Sequence, residues 1–437
     1  MARPLLNLLA IALALAALLI APAAGAFCGF YAARGDARLF NDASKVVMVR
    51  DEDRTVITMV SDFAGEAREF AMVVPAPEVL AREQIRVVEA AIIDHLDAYT
   101  APRLVEYFDP DPCLPLPLPS SCPNCMSVSD SAPPAVEDSL GVTVEAEYTV
   151  GEYDIAILSA AESDGLVTWL DRNGYAMPEN AGPVLAGYID MGMKFFVARV
   201  NLAEHAAAGG GVLRPLQIAF ESDDFMLPIR LGMVNARGLQ DLILLTLTRT
   251  GRVETENYAV SRMPTGQEIP VYVRDRFGET YKAIFAEAVR REGGAAVMLE
   301  YAWDMAWCDP CAADPLSQHE LQELGVSWAG AGAAPDVFVT RLHARYDAAR
   351  FPEDLRLRVT SERENFQGRY VLRHPFTAAA SCPAGRNYQA GLAGRFEREA
   401  ALLAGLTGWK LDAIRNEMRA AGITPDGDAW WERLWPR

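Results

Sequence analysis

Between residues 109 and 141 the chain reads DPDPC, then LPLPLP, then a Ser/Pro-rich run through Pro134, and no regular element can cross it. Each proline fixes φ and removes an amide donor, so alternating prolines hold the backbone extended and exclude both helix and central strand. The chain therefore divides around this stretch. The expected order is a signal peptide at 1–26, a strand-rich unit plus helix at 27–112, and a Pro/Ser/Cys-rich loop or linker at 113–141. A central antiparallel α+β unit at 142–295 and a mixed α/β unit at 296–437 follow. Cys113, Cys122 and Cys125 are placed to pin the loop to the rest of the chain.

Hydrophobic periodicity fills the blocks on either side. Residues 46–49 and 55–60 are β-branched runs separated by Arg50-Asp51-Glu52-Asp53-Arg54, a hairpin signal. A third strand at 70–74 is expected to stop at Pro75 and Pro77. Over 87–99, Val88, Ile92, Leu96 and Tyr99 share one helical face, and Pro102 lies just beyond. Strands are predicted at 142–148, 153–158, 195–200, 216–220, 225–231 and 242–248 as an antiparallel set, with a helix at 164–173. The sequence of strand, acidic turn, Phe and Pro-containing strand occurs at 55–75 and again at 216–229, with too little identity to argue duplication. The last block reads as a helix at 277–291, strands at 295–301, 337–346 and 355–359, and helix over most of 400–420. Trp430, Trp431 and Trp435 suit core or lid packing. The predicted fold class is α+β, with mostly antiparallel sheets, flanking helices and a helical C-terminal segment.

The N-terminus has Arg3, an apolar stretch over 5–20, and Ala24-Gly25-Ala26, which fits a signal peptidase site and predicts a mature start at Phe27. An uncleaved anchor in the inner membrane is the alternative. No later segment approaches the roughly 20 apolar residues that a spanning helix needs, so the expected location is the periplasm or cell envelope. With 51% hydrophobic and 23% charged residues the chain can build a core, and a net charge of -19 argues against nucleic acid and anionic lipid as partners. An envelope protein is the partner class left open.

The seven cysteines are Cys28, Cys113, Cys122, Cys125, Cys308, Cys311 and Cys382, and an odd count outside the cytoplasm leaves at least one without an intrachain partner. Cys122-Pro-Asn-Cys125 and Cys308-Asp-Pro-Cys311 are both C-x-x-C pairs. Three readings compete. Disulfides could staple the proline-rich loop and the turn at 307–315 to the core. Trp307-Cys308-Asp309-Pro310-Cys311 matches a thioredoxin-type redox motif, with Cys308 as nucleophile and Cys311 as resolving thiol, but Pro315 would interrupt a helix starting there. Cys122, Cys125, Cys308 and Cys311 could together form a four-thiolate zinc site, which makes zinc the one cofactor the chain suggests and none that it requires.

Other chemistry is thin. His319-Glu320 lacks the second histidine of a zincin, and His95, flanked by Asp94 and Asp97, is a possible oriented base but more simply a surface helix residue. The clusters 51–53, 109–111 and 221–224 offer hard oxygen ligands for calcium, although turn chemistry explains each. Hydrolase elbows, Walker loops and dinucleotide fingerprints are missing from the sequence. The reading favours a disulfide-stabilised binding or structural protein over an enzyme, with a thiol-disulfide oxidoreductase as rival and a structural zinc protein as third choice.

The strings FCGFYAA (27–33), LFNDASKVVMVRDEDRTVITM (39–59), EFAMVVPAP (69–77), HLDAYTAPRLVEYFDPDPC (95–113), MLPIRLGM (226–233), EYAWDMAWCDPC (300–311) and NFQGRYVLRH (365–374) together resemble the bacterial family catalogued as domain of unknown function 2330. The resemblance implies an exported, signal-bearing protein. It carries no assigned catalytic residue, so it transfers no role to any position.

Overall fold

The computed structural model describes residues 30–34, 43–60, 70–114, 144–159, 163–172, 175–176, 181–207, 213–234, 236, 238–307, 313–329 and 336–423. The signal segment, most of the proline-rich loop and the terminal tryptophans lie outside them.

The hairpin expected near residue 50 forms between Ala43–Asp51 and Arg54–Met59, and Asp51 pairs with Arg54 across the turn. Glu52 takes φ 55 there, the left-handed backbone that tightens the corner. This hairpin is the middle of a nine-stranded sheet. In order it runs Val260–Arg262, Val297–Asp304, Phe338–Tyr346, Gln240–Thr248, Ala43–Asp51, Arg54–Met59, Leu216–Glu221 and Ile85–Val87, with Phe366–Gln367 paired to Val297–Asp304 off that path. Strands from 27–112, 142–295 and 296–437 thus lie side by side. Gln240–Thr248 runs antiparallel to Phe338–Tyr346 and parallel to Ala43–Asp51, a pairing the sequence did not announce. A parallel partner needs no turn signal, only a long crossover.

A second, six-stranded antiparallel sheet packs on the first. Val46 and Met48 of the large sheet face Met72, Val74, Ile157 and Phe196 of the second in one core. Val47 and Val49 point the other way, onto Ile92, Ile93, Leu96 and Tyr99 of helix Ala90–Thr100. That helix starts later than expected because Val87 is the last residue of strand Ile85–Val87. Helices Ser163–Arg172 and Ala181–Asp190 cover the outer face of the second sheet through Leu166, Leu170, Leu185 and Tyr188. The layers are therefore helix, sheet, sheet, helix, an α+β fold. Burial on both faces explains the near-continuous apolar runs of the hairpin.

The third strand extends through Pro75 as Phe70–Ala76, with Pro75 opposite Phe195. On its other side the strand pairs with Phe30–Arg34, Val73 lying opposite Phe30. The strand expected at 225–231 is reduced to Met226–Leu227, and helix Arg230–Val234 takes the remainder.

The C-terminal helix begins far earlier than expected, at Pro383, and runs Pro383–Thr407 before Leu411–Ala420. Pro383 suits the first helical turn, and Gly408 at φ 71 closes the helix in left-handed backbone. Phe396, Ala400, Leu403, Ile414 and Met418 pack on Ile284, Phe285 and Val289 of helix Phe277–Arg291. Beneath them lies a small parallel sheet of Gln267–Ile269, Arg369–His374 and Arg103–Phe108. Among the described residues no helix is long and apolar enough to cross a membrane.

Candidate functional site

Cys113 and Cys382 are bonded to each other across a separation of 269 residues, with Cα atoms 5.9 Å apart. Cys382 is also the N-cap of the long helix, its Sγ accepting from Gly385 N–H at 3.1 Å. The start of the proline-rich segment is thereby tied to the helix that closes the C-terminal core. Cys28, Cys122, Cys125, Cys308 and Cys311 lie outside the described residues, and with them the redox pair and the zinc set. The helix that follows the redox motif begins only at Gln318. Among the described residues no group of three His, Cys, Asp or Glu could hold a metal ion.

Next to the disulfide, Asp109 accepts from Tyr388 Oη at 2.6 Å and Arg395 Nη1 at 2.5 Å. One helical turn beyond Arg395, Glu399 is buried, and its Oε1 has no hydrogen-bond partner among the described residues, with Arg395 Nε 3.4 Å away. Burial pushes the Glu399 carboxyl up to about 7 against the pull of Arg395, and Glu268 and Asp109 add to the rise. A carboxyl raised on folding holds its proton more tightly in the folded state. Its contribution to stability therefore falls as pH rises from the ordinary carboxylate range to about 7, and is level above that. Glu399→Gln is expected to exceed wild type by up to about 3 kcal/mol near pH 8 and to match it near pH 4. Urea unfolding at both pH values measures this, and an equal difference at both would contradict it.

The densest buried chemistry lies where strand Val297–Asp304 bulges. Leu299 pairs with Leu342 and Tyr301 with Arg341, which leaves Glu300 as the extra residue. Its backbone carbonyl accepts from Gly368 N–H at 2.7 Å, and its carboxylate is fully buried. Arg341 Nε donates to Oε2 at 2.6 Å, while His343 Nδ1, at 2.6 Å, and the Tyr281 hydroxyl both reach Oε1. Arg341 also donates to Asp97 and, at 3.2 Å, to Thr100 Oγ1, and Lys45 Nζ meets Asp97 at 2.8 Å. Phe285 stacks on the His343 ring at 3.6 Å between centroids. Burial alone would raise the Glu300 carboxyl, and His343 and Arg341 outweigh it, holding the group at about 2. For Tyr281, burial and then the Glu300 charge push the hydroxyl well above its usual value, so it remains a donor. Glu300 is paired through both carboxylate oxygens, and the network holds the large sheet to helices Ala90–Thr100 and Phe277–Arg291.

Open space lies elsewhere. A cavity of about 360 Å³ on the second sheet is lined by Tyr148, Asp154, Trp169 and Arg199 among others. Asp154 is already engaged by Arg199 at 2.5 Å and Thr149 at 3.1 Å. A cavity of about 230 Å³ opens at the junction of the two sheets, lined by Ile57 and Phe220 from one, Pro75 and the flanking Pro77, Met191 and Met193 from the other, and Ser222, Asp224, Met226 and Pro228 from the segment after strand Leu216–Glu221. The two similar stretches noticed in the sequence, 55–75 and 216–229, meet here. Met191 is 52% exposed at this cavity, and Met193 and Phe220 are buried. Apolar walls with a few polar groups at one end are the usual form of a small-molecule site.

Residues 22–358 match a family described as an uncharacterized protein conserved in bacteria, DUF2330. The chain belongs to this family. Neither a curated protein nor a solved structure matches it. The DUF2330 match takes in the cavity lining and Glu300, Arg341 and His343, and stops short of the 365–374 string, Cys382 and both C-terminal helices.

His95 proves half-buried rather than free on its helix in this DUF2330 chain. Nδ1 meets Glu320 Oε1 at 2.7 Å and Nε2 meets the Asp314 carbonyl at 2.8 Å. Burial would lower its pKa, but the Glu320 and Asp314 bonds prevail and raise it. Glu320 also completes a capping box with Ser317, so His95, expected as a surface helix residue, is a strut that docks residues 314–320 on helix Ala90–Thr100. Glu300, Arg341 and the cavity methionines had gone unnoticed in the sequence. A carboxylate inside the apolar run at 295–301, facing a strand with charge at alternate positions 341, 343 and 345, was the available signal.

Proposed function

We propose that this DUF2330 protein is an exported, disulfide-stabilised binding protein of the bacterial cell envelope. The observation that carries the reading is the Cys113–Cys382 bond, because a structural disulfide persists in oxidising compartments and is rare where thiols are kept reduced. The signal architecture at 1–26 supports the same location. Binding, rather than catalysis, is favoured by where the groups sit: the titratable cluster around Glu300 is buried and mutually paired, and the cavity at the sheet junction is apolar with few polar groups. Expression of the full chain in a bacterial host, followed by fractionation and N-terminal sequencing, tests the location. Mature protein beginning at Phe27 outside the cytoplasm is the expected result. Protein retained in the cytoplasm, or still carrying residues 1–26, would overturn export as a processed envelope protein.

A further inference from the structure

From the lining of the sheet-junction cavity we infer that it takes one aromatic ring bearing a hydrogen-bond donor, as in a phenol or an aromatic amine. The inference rests on the reading of the protein as a binder and names the ligand class of that same site. Size comes first. A dry apolar cavity of about 150 Å³ holds a benzene ring, so about 230 Å³ leaves room for one ring with a substituent and is small for a fused or long-chain ligand. The lining chooses aromatic over aliphatic. Met191, Met193 and Met226 bring thioethers to the same space, and sulfur gains most against the edge of an aromatic ring. Pro75, Pro77 and Pro228 present rigid, flat apolar faces, and the Phe220 ring adds an aromatic partner.

The polar side chains of the lining come from one stretch alone. Ser222 and Asp224 stand on the loop after strand Leu216–Glu221, where Asp224 N–H donates to Ser222 Oγ at 3.2 Å and so fixes the turn. The exposed Asp224 carboxylate can only accept, which selects a donor on the ligand and disfavours an anionic one. Met191 belongs to the turn Met191-Gly192 that ends helix Ala181–Asp190, with Gly192 at φ 77. As an unbranched, half-exposed side chain it can shift to admit a ring and then cover it.

The test uses the mature protein with methyl-labelled methionine and titrates p-cresol, toluene and cyclohexanol while following the Met191, Met193 and Met226 methyl resonances. Leucine substitution at each position assigns the signals. Ring-current shifts of these methyls with p-cresol are expected, with affinity roughly tenfold above that for toluene, the worth of one hydrogen bond. Asp224→Asn, at an exposed position, should shrink that preference while leaving toluene binding unchanged. If cyclohexanol binds as well as p-cresol, or cuprous ion captures the three thioethers instead, the aromatic assignment fails and the cavity remains a binding site. If no probe moves these methyls up to about 10 mM, the binding reading of this site fails with it.

Discussion

Replacing Glu300 by alanine is expected to destabilise the protein by about 3 to 5 kcal/mol, the usual cost of removing one partner from a buried ion network. Arg341 would keep its charge in the core facing only Asp97, and His343 and Tyr281 would lose the acceptor they share. Arg341→Met should cost a similar amount, because it leaves Glu300 with a full charge and no guanidinium. The double variant should cost clearly less than the sum of the two, since each single change strands a charge that the other removes. The effect depends on pH in a definite direction. The Glu300 carboxyl is held below its ordinary value, so its contribution is present above the normal carboxylate range and is lost as pH falls toward about 2. Guanidinium unfolding of the four proteins measures the cycle. Additive losses would show that Glu300 and Arg341 do not act as a pair.

Loss of the Cys113–Cys382 bond is the other large effect expected. The bond closes a loop with a sequence separation of 269 residues, and the chain-entropy model gives roughly 5.5 kcal/mol for a loop of such length. Further disulfides within the loop would shorten its effective length and lower this figure. Cys113→Ser and Cys382→Ser should be equally destabilising, and the double variant no worse than either. Reductant should lower wild type by more than it lowers the double variant. The loss should appear first as release of helix Pro383–Thr407, since Cys382 caps it and, among the described residues, Asp109 near Cys113 bonds to its Tyr388 and Arg395. Hydrogen exchange across 383–407 separates this from global opening.

The parts of the fold that were legible in the sequence are those whose signal is local. The hairpin around Glu52 announces itself by β-branched runs flanking a charged turn, and helix Phe277–Arg291 by a clean apolar face. Parallel pairing of Gln240–Thr248 with Ala43–Asp51 joins residues nearly two hundred positions apart, and no turn residue encodes it. The long C-terminal helix was hidden because Gly385, Gly391 and Gly394 depress its apparent propensity, while packing on Phe285 and Ile284 supplies the stability that propensity lacks. Strand Arg103–Phe108 escaped notice for a related reason: its partner is Arg369–His374, far along the chain.

The candidate site followed the same division. Cysteine spacing drew attention to the C-x-x-C pairs, yet the bond among the described residues joins Cys113 to Cys382, and no spacing rule links two positions so distant. Glu300 is visible as a carboxylate among apolar neighbours, but its four-way pairing needs the bulge that the register of Val297–Asp304 creates. The cavity draws on residues from 57 to 228, and only the packing of one sheet on the other brings their thioethers and prolines together.

Peptide mapping of the native protein, without reduction and after blocking free thiols, tests the central claim most directly. The account predicts one linked peptide pair containing Cys113 and Cys382, which separates on reduction. Both thiols recovered as alkylated free cysteines, or either one joined to a different cysteine, would contradict it.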